Sequence, residues 1–239
     1  MKRTTLIIVM TFLALMVIVP QALAYKVIDV GNGGKITGVI SFSGTPPANP
    51  ALKMTKDEDY CGATITADYF LVNAGKLQNV VIAIENIDAG KPYDKKAIIP
   101  FNNKKCMFSP HVTTAVVGQK LGVNNADPIL HNTHLYHGPK KKTMYNIALP
   151  LKDRVIKKRM RKPGIVTVQC DAHEWMLGYV YVSKNPYATV SAADGSFTID
   201  GIPPGTYKVK IWHEKLGEVV KEVTVAAGGT ATLNHTFSQ

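Results

Sequence analysis

Residues 164–182 read GIVTVQCDAHEWMLGYVYV. A β-branched run leads into Cys170 and an alternating run follows Met176, so the segment predicts two strands joined by a tight loop. The loop holds three side chains that bind metals, namely Cys170, His173 and Met176. A thiolate, an imidazole and a thioether together suit copper, whereas zinc more often receives only Cys and His ligands. The segment therefore predicts a copper-binding loop closed by a β-hairpin.

A trigonal copper site with a weak axial Met requires a second histidine from elsewhere in the chain. The candidate is His131, in the segment DPILHNTH at residues 127–134, which follows a predicted strand that ends near Asn124. The four expected ligands of one copper ion are thus His131, Cys170, His173 and Met176.

At these residues the sequence resembles the cupredoxins, and among them the amicyanins. The C-x-x-H-x-x-M spacing of that family is matched at residues 170–176, and its PHNVH-like segment is matched at residues 131–134. The resemblance covers about Phe108–Val182, and it departs from the family at Leu130, where a Pro is usual. It implies a Greek-key sandwich and a blue copper centre that carries electrons.

The resemblance also implies a role for each site residue. Cys170 would bind as a thiolate, His131 and His173 as neutral imidazoles, and Met176 as the axial ligand. Asn132 resembles the residue that hydrogen-bonds near the Cys sulfur and ties the two ligand segments together, and such support fixes the geometry of a metal site.

By the same resemblance, His173 is expected to be the partly exposed ligand through which electrons pass. An apolar patch around it would be formed by Pro128, Ile129, Leu130, Ala172 and Trp175. His111 and His213 are expected to be structural, although His111 could also approach a metal.

The rest of the chain predicts an all-β protein, because alternation and β-branched runs recur between Gly- and Pro-rich turns. The predicted strands are Lys35–Phe42, Tyr69–Asn73, Leu77–Glu85, Val112–Val117, Lys120–Asn124, Gly164–Cys170, Tyr179–Ser183, Ser196–Ile199, Thr206–Trp212, Glu218–Val225 and Thr230–Phe237. One helical turn is predicted within Pro150–Arg159.

The segment DGSFTIDGIPPGTY at residues 194–207 resembles the carboxypeptidase regulatory-like (transthyretin-like) sandwich. The first strands of that family resemble Gly34–Phe42 and Asn79–Ile84, which lie more than one hundred residues upstream. We therefore expect a regulatory-like sandwich from residues 25–92 and 185–239, with a cupredoxin domain at residues 93–184 between them. Two consecutive domains are the alternative.

The first 24 residues differ in composition from the rest of the chain. Lys2 and Arg3 precede an apolar run at residues 6–19, and small residues follow at positions 22–24. This pattern predicts a cleaved export signal, with an uncleaved membrane anchor as the alternative. We therefore expect an exported protein, either periplasmic or at the cell surface.

Export changes how the three cysteines are interpreted, because disulfides persist outside the cytoplasm. If Cys61 and Cys106 form a pair, Cys170 is left over, and a metal-bound thiolate explains it. A buried free Cys is an equal alternative on count alone.

The chain is basic, with a net charge of +11, or about +9 without Lys2 and Arg3. Ten positive residues lie within residues 140–162, namely Lys140, Lys141, Lys142, Lys152, Arg154, Lys157, Lys158, Arg159, Arg161 and Lys162. Such a field can steer an acidic redox partner, for example an acidic c-type cytochrome or another electron carrier, although a solvated loop is an equal alternative. Nucleic acid is not an expected partner, and a membrane is expected only through an uncleaved signal.

Three functions are compatible with these features. Electron transfer uses the complete ligand set and needs no substrate pocket. A copper carrier or surface-binding module without electron transfer is the alternative. Copper oxidases and nitrite reductases usually bind further metal through His-x-His pairs, which this sequence lacks, so we expect no enzymatic activity.

Overall fold

The computed structural model describes residues 25–238, in which strands dominate. The strands before residue 92 are β1 (Lys26–Val27), β2 (Gly34–Ser43), β3 (Ala51–Lys53), β4 (Thr64–Thr66), β5 (Val72–Asn73), β6 (Lys76–Leu77), β7 (Val81–Ile84) and β8 (Ala89–Gly90). The next nine are β9 (Ile98–Lys104), β10 (Met107–Ser109), β11 (Val112–Val116), β12 (Lys120–Asn125), β13 (His131–His137), β14 (Lys142–Leu149), β15 (Ile156–Arg159), β16 (Gly164–Gln169) and β17 (Leu177–Ser183). The last six are β18 (Ala188–Val190), β19 (Ser196–Ile202), β20 (Gly205–His213), β21 (Gly217–Val225), β22 (Thr230–Thr232) and β23 (His235–Ser238).

One short helix, α1 (Glu58–Cys61), lies between β3 and β4. The expected all-β fold is confirmed. The export signal expected at residues 1–24 lies outside the described residues. Between residues 25 and 238, no helix combines the length and the apolar content needed to cross a membrane.

The first sandwich combines strands from both ends of the described chain. One sheet has the order β18-β7-β20-β21, and the other has the order β19-β2-β6-β5, with β22 and β23 also paired to β2. Alternating residues of β2, among them Ile36 and Ile40, are fully buried and pack with Ile82 and Val209 from the other sheet. Burial of these alternating apolar side chains is the main term that holds the two sheets together.

Gly195 shows why the turn signature of this sandwich needs glycine. Its φ is +73°, and a Cβ built there would lie 2.3 Å from the carbonyl oxygen of Ile40. Any other residue would meet both a strained backbone and the neighbouring strand. The N–H of Ile40 bonds to the Gly195 carbonyl at 2.8 Å, so the turn is pinned to β2.

The second sandwich is formed by the nine strands between residues 98 and 183. Its sheets have the orders β10-β9-β12-β15 and β11-β17-β16-β13-β14. The apolar cluster between them combines Phe101 and Leu121 of the first sheet with Leu135 and Val168 of the second. The division of the chain at residues 93 and 184 stays a proposal, and residues 51–66, which precede it, pack against this second core.

The two sandwiches meet through a smaller apolar cluster that includes Val81 and Tyr181. Beside it, His111 Nε2 pairs with a carboxylate oxygen of Glu214, and both side chains are almost fully buried. His111 is therefore a structural residue at the junction, as expected.

Several expected elements differ from those observed. The helical turn predicted in Pro150–Arg159 is wrong, because residues 156–159 form β15 and pair antiparallel with β12. The strand predicted at Leu77–Glu85 is interrupted at Asn79, whose φ is +64°. β13 was not predicted, because its sequence HNTHLYH is largely polar although its residues alternate in burial.

Candidate metal centre

The ligand loop joins two neighbouring antiparallel strands, as the sequence predicts. Cys170 directly follows β16 and Met176 directly precedes β17, with Gln169 opposite Leu177 in the ladder. The N–H of Met176 donates to the His173 carbonyl at 3.0 Å, which tightens the loop. Cys170 is 2% exposed, and His173 and Met176 are fully buried.

His131 reaches this loop because it opens β13, which pairs with β16 in the same sheet. The Nδ1 atoms of His131 and His173 lie 3.0 Å apart, and Cys170 Sγ lies 3.6 Å from His173 Nδ1. The three ligand atoms all lie within 4.8 Å of one another. The structure thus brings His131, Cys170 and His173 together and places Met176 on the same buried loop.

The outward nitrogen of each imidazole faces a carboxylate. His131 Nε2 lies 2.9 Å from Asp127 Oδ2, and His173 Nε2 lies 2.8 Å from Asp57 Oδ2. Because a carboxylate oxygen accepts, each Nε2 carries the ring proton in the neutral form. The two Nδ1 atoms therefore point lone pairs at each other and at the thiol sulfur.

The ionisation of the groups around His131 agrees with this arrangement. Burial lowers the pKa of His131 although its hydrogen bond to the Asp127 carboxylate opposes this shift, so the ring is neutral near neutral pH. Burial opposes ionisation of Asp127, but the N–H groups of Cys106 and Lys105, with His131 and Tyr60, hold the pKa of that carboxyl below its usual range.

Burial raises the pKa of the Cys170 thiol, while the N–H groups of Asn132, Ala172 and His173 oppose the rise. A thiolate at this buried position therefore needs a nearby cation. Two imidazole nitrogens and a sulfur that converge on one point form the donor set that a soft transition metal prefers, so the residues present fit copper.

Asn132 ties the two ligand segments to each other. Its backbone N–H lies 3.3 Å from Cys170 Sγ, and its side-chain oxygen accepts from the N–H of Asp171 at 3.2 Å. The side-chain amide also bonds to Asn146. The contact with the sulfur therefore comes from the backbone, while the side chain fixes the loop.

The expectation that His173 is a partly exposed ligand is wrong. Its ring is 0% exposed, because Asp57 covers Nε2 and the Trp175 ring lies 4.9 Å away. Trp175 is itself 8% exposed, so it cannot form part of an open apolar patch. Leu130 is exposed, but it flanks His131 and not His173.

The remaining nearby histidines have other partners. His134 Nδ1 lies 3.0 Å from the carboxylate of Asp171, and His137 Nε2 lies 2.8 Å from the Pro163 carbonyl. Neither belongs to the converging donor set.

Sequence reasoning missed three residues around the centre, namely Asp57, Tyr60 and Asp127. Asp127 lies four residues before His131, and an acidic residue so close to a ligand is a usable signal for a partner of the imidazole. Asp57 lies 116 residues before His173. Its only local signal is its proximity to Cys61.

Comparison with solved structures finds likenesses over little more than a third of the chain. A Cu-containing nitrite reductase from Thermus scotoductus SA-01 matches at 18% identity and a TM-score of 0.30, over 36% of this chain and 22% of that one. The match thus spans about a fifth of the reductase. A purple cupredoxin from Nitrosopumilus maritimus matches at 26% identity and a TM-score of 0.30, over 36% of this chain and 96% of its own. An amicyanin from Paracoccus versutus matches at 19% identity and a TM-score of 0.33, over 38% and 84%.

No curated protein sequence matches the chain. The model of the carboxypeptidase regulatory-like domain matches residues 179–238, which include β18–β23. The turn signature at residues 194–207 lies within this match. The resemblance stated from that signature is confirmed by this match.

Proposed function

We propose that this protein is exported, binds one copper ion through His131, Cys170, His173 and Met176, and carries single electrons between redox partners. The observation that supports the proposal is the convergence of two imidazole Nδ1 atoms and a buried thiol within 4.8 Å of one another. Bound copper would supply a one-electron Cu(I)/Cu(II) couple at this position.

The residues of the chain hold that donor set in a fixed geometry. His131 is held by β13, and Cys170 and His173 lie on a hairpin loop between β16 and β17, so their spacing is set by one sheet. The carboxylate of Asp127 faces Nε2 of His131 at 2.9 Å and so orients that ring towards the donor set. A site held in this way changes little between two charge states of a metal, which favours rapid electron exchange.

A copper carrier without an electron-transfer role is the second candidate. Carriers release their ion to a partner, which requires access to the ligands. Here Cys170 is 2% exposed, and His131, His173 and Met176 are 0% exposed. Such burial favours retention of the metal, and therefore electron transfer over delivery of copper.

We place the docking surface for a redox partner at the His131 end of the second sandwich. The Asn125 side chain donates to the carbonyls of Ile129 and Leu149, which joins the segment before His131 to the end of β14. Leu130 is 47% exposed there, and Lys152 and Arg154 of the following loop are exposed. An apolar spot with basic neighbours is complementary to an acidic carrier such as an acidic c-type cytochrome.

The visible spectrum of the copper-loaded protein tests the proposal. The oxidised protein should show an intense thiolate-to-copper absorption that is absent in Cys170→Ser and lost or strongly altered in His131→Ala. His137→Ala is the matched control, because that histidine bonds to Pro163 and lies outside the donor set. A wild-type protein that binds copper without this absorption would rule out the proposed centre.

A further inference from the structure

Residues 51–66, hereafter the cap, cover one end of the second sandwich. They contain β3, α1 and β4, and β3 pairs with β4. Met54 is fully buried within the same apolar cluster as Cys170 and Met176. The cap is joined covalently to the sandwich by the disulfide between Cys61 and Cys106. It is therefore a fixed part of the wall around the metal centre.

The cap contacts one imidazole directly and is linked to the other through Asp127. Asp57 Oδ2 lies 2.8 Å from His173 Nε2. The hydroxyl of Tyr60 donates to Asp127 Oδ1 at 3.0 Å, and the other oxygen of that carboxylate faces His131 Nε2 at 2.9 Å. One short segment thus supports His173 directly and His131 through Asp127.

The disulfide holds the cap in the position in which Asp57 and Tyr60 make these contacts. The N–H of Cys61 donates to the Asp57 carbonyl at 2.9 Å. On the other side of the bridge, the N–H of Cys106 donates to Asp127 Oδ2 at 2.9 Å, and its carbonyl accepts from Trp175 Nε1 at 3.0 Å. The bridge therefore connects Asp57 to the partner of His131 and to the ring that packs on His173.

We propose that Asp57 is a positioning residue of the copper centre. It accepts the Nε2–H of His173, holds the ring with Nδ1 turned towards Cys170 Sγ, and closes the outer edge of the ring to solvent. This inference rests on the proposed function. Its basis is that His173 is fully buried while the Asp57 side chain is 32% exposed, so Asp57 is the boundary between the ligand and water.

The backbone at Asp57 guides the choice of variants. Its φ is +54°, a conformation that Gly and Asn adopt readily but Ala does not. Asp57→Gly therefore removes the carboxylate without adding backbone strain. Asp57→Asn keeps an oxygen that can accept from Nε2–H and removes only the charge. Asp59→Asn, in the exposed part of α1, is the matched control for charge.

The experiment uses the full chain with its disulfide intact, loaded with copper. In Asp57→Gly, the copper affinity measured by competition with a chelator should fall about 10- to 100-fold, as is typical when the partner of a ligating imidazole is removed. The thiolate-to-copper absorption should shift. Asp57→Asn should recover most of the affinity. In both variants the reduction potential should rise, because a negative charge that stabilises Cu(II) is lost, while Asp59→Asn should stay close to the wild type.

A measurement on the metal-free protein gives a readout that does not depend on copper. Nitrogen-15 NMR of the imidazoles should show the His173 ring proton on Nε2 in the wild type and in the Asp57→Asn variant. The Asp57→Gly variant should show a mixture of the two tautomers. If Asp57→Gly matches the control in tautomer, affinity and spectrum, the role of Asp57 is refuted while the copper centre stands. If the wild type itself lacks the thiolate-to-copper absorption, the proposed function fails and this inference fails with it.

Discussion

The backbone N–H of Asn132 points at Cys170 Sγ across 3.3 Å, although the two residues are 38 positions apart. Hydrogen bonds to a ligating sulfur withdraw charge from it and so tune a copper centre. Because the donor is a backbone group at the start of β13, this contact depends on the strand and not on the type of side chain. The side chain of Asn132 instead bonds to the N–H of Asp171.

Because the backbone of Asn132 contacts the sulfur and its side chain bonds to Asp171, we expect Asn132→Ala to lower the stability of the protein without displacing the thiolate-to-copper absorption. The variant loses the bond from Asp171 N–H but keeps the N–H that faces the sulfur. We expect the free energy of unfolding to fall by about 1 kcal/mol and the thiolate-to-copper absorption to keep its position. Denaturant unfolding of the metal-free protein and the visible spectrum of the loaded protein measure the two effects. A large displacement of the absorption would mean that the side chain, and not the backbone, supports the sulfur.

The disulfide between Cys61 and Cys106 predicts a large contribution to stability. It closes a loop over a sequence separation of 45, and the chain-entropy model gives about 4 kcal/mol for a loop of that length. The double variant Cys61→Ala, Cys106→Ala should lose about that much unfolding free energy. Cys170→Ala, measured in the same metal-free state, is the control that removes a cysteine and keeps the bridge. Equal losses in both proteins would contradict the prediction.

The ligand loop and the bridge could be predicted from the sequence because their signals are local or countable. Cys170, His173 and Met176 lie within seven residues, between two runs of β-forming residues. With three cysteines, one reserved for metal leaves a single pair, and the bridge between Cys61 and Cys106 is confirmed.

The cover over His173 could not be predicted in the same way. The contact between Asp57 and His173 joins residues from distant segments, and no periodicity or spacing shows which surface a short segment will cover. The family resemblance suggested the opposite, an exposed His173, because the cap lies outside the residues that carry the resemblance. Packing of Met54 into the second core determines its position.

Burial of His213 should lower the free energy of unfolding in acid. Burial lowers its pKa from 6.5 to about 4, and its Nδ1 accepts from the N–H of Lys215 at 3.3 Å. Between pH 6.5 and about 4 the unfolded chain binds a proton at this position and the folded chain does not, so the free energy of unfolding falls as the pH falls. The contribution is about 3 kcal/mol across that window.

Comparison with His213→Asn isolates the contribution of His213 to the pH dependence of stability, because Asn offers an acceptor near the position of Nδ1 but does not titrate. Denaturant unfolding at pH 7, 5.5 and 4 should give a shallower pH dependence in the variant than in the wild type. Parallel curves for the two proteins would show that His213 titrates normally in the folded state.

The exposed basic loop after β14 predicts a salt-dependent rate of electron exchange. Lys152 and Arg154 are exposed and lie in the loop that follows Leu149, the residue that pairs with His131, so they lie at the same end of the second sandwich as His131. Reversing both charges, in Lys152→Glu with Arg154→Glu, should slow exchange with an acidic c-type cytochrome about tenfold or more at low salt. The difference should shrink as salt increases, because the screening length falls from about 30 Å at 0.01 M to about 3 Å at 1 M.

Stopped-flow mixing across this range of salt measures the effect. The matched control reverses two exposed lysines of the first sandwich, Lys35→Glu with Lys208→Glu, which changes the net charge equally but leaves the His131 end unchanged. The control should slow exchange much less, because docking depends on the local field more than on the total charge. Equal slowing by both double variants would assign the effect to net charge and remove the docking surface from the His131 end.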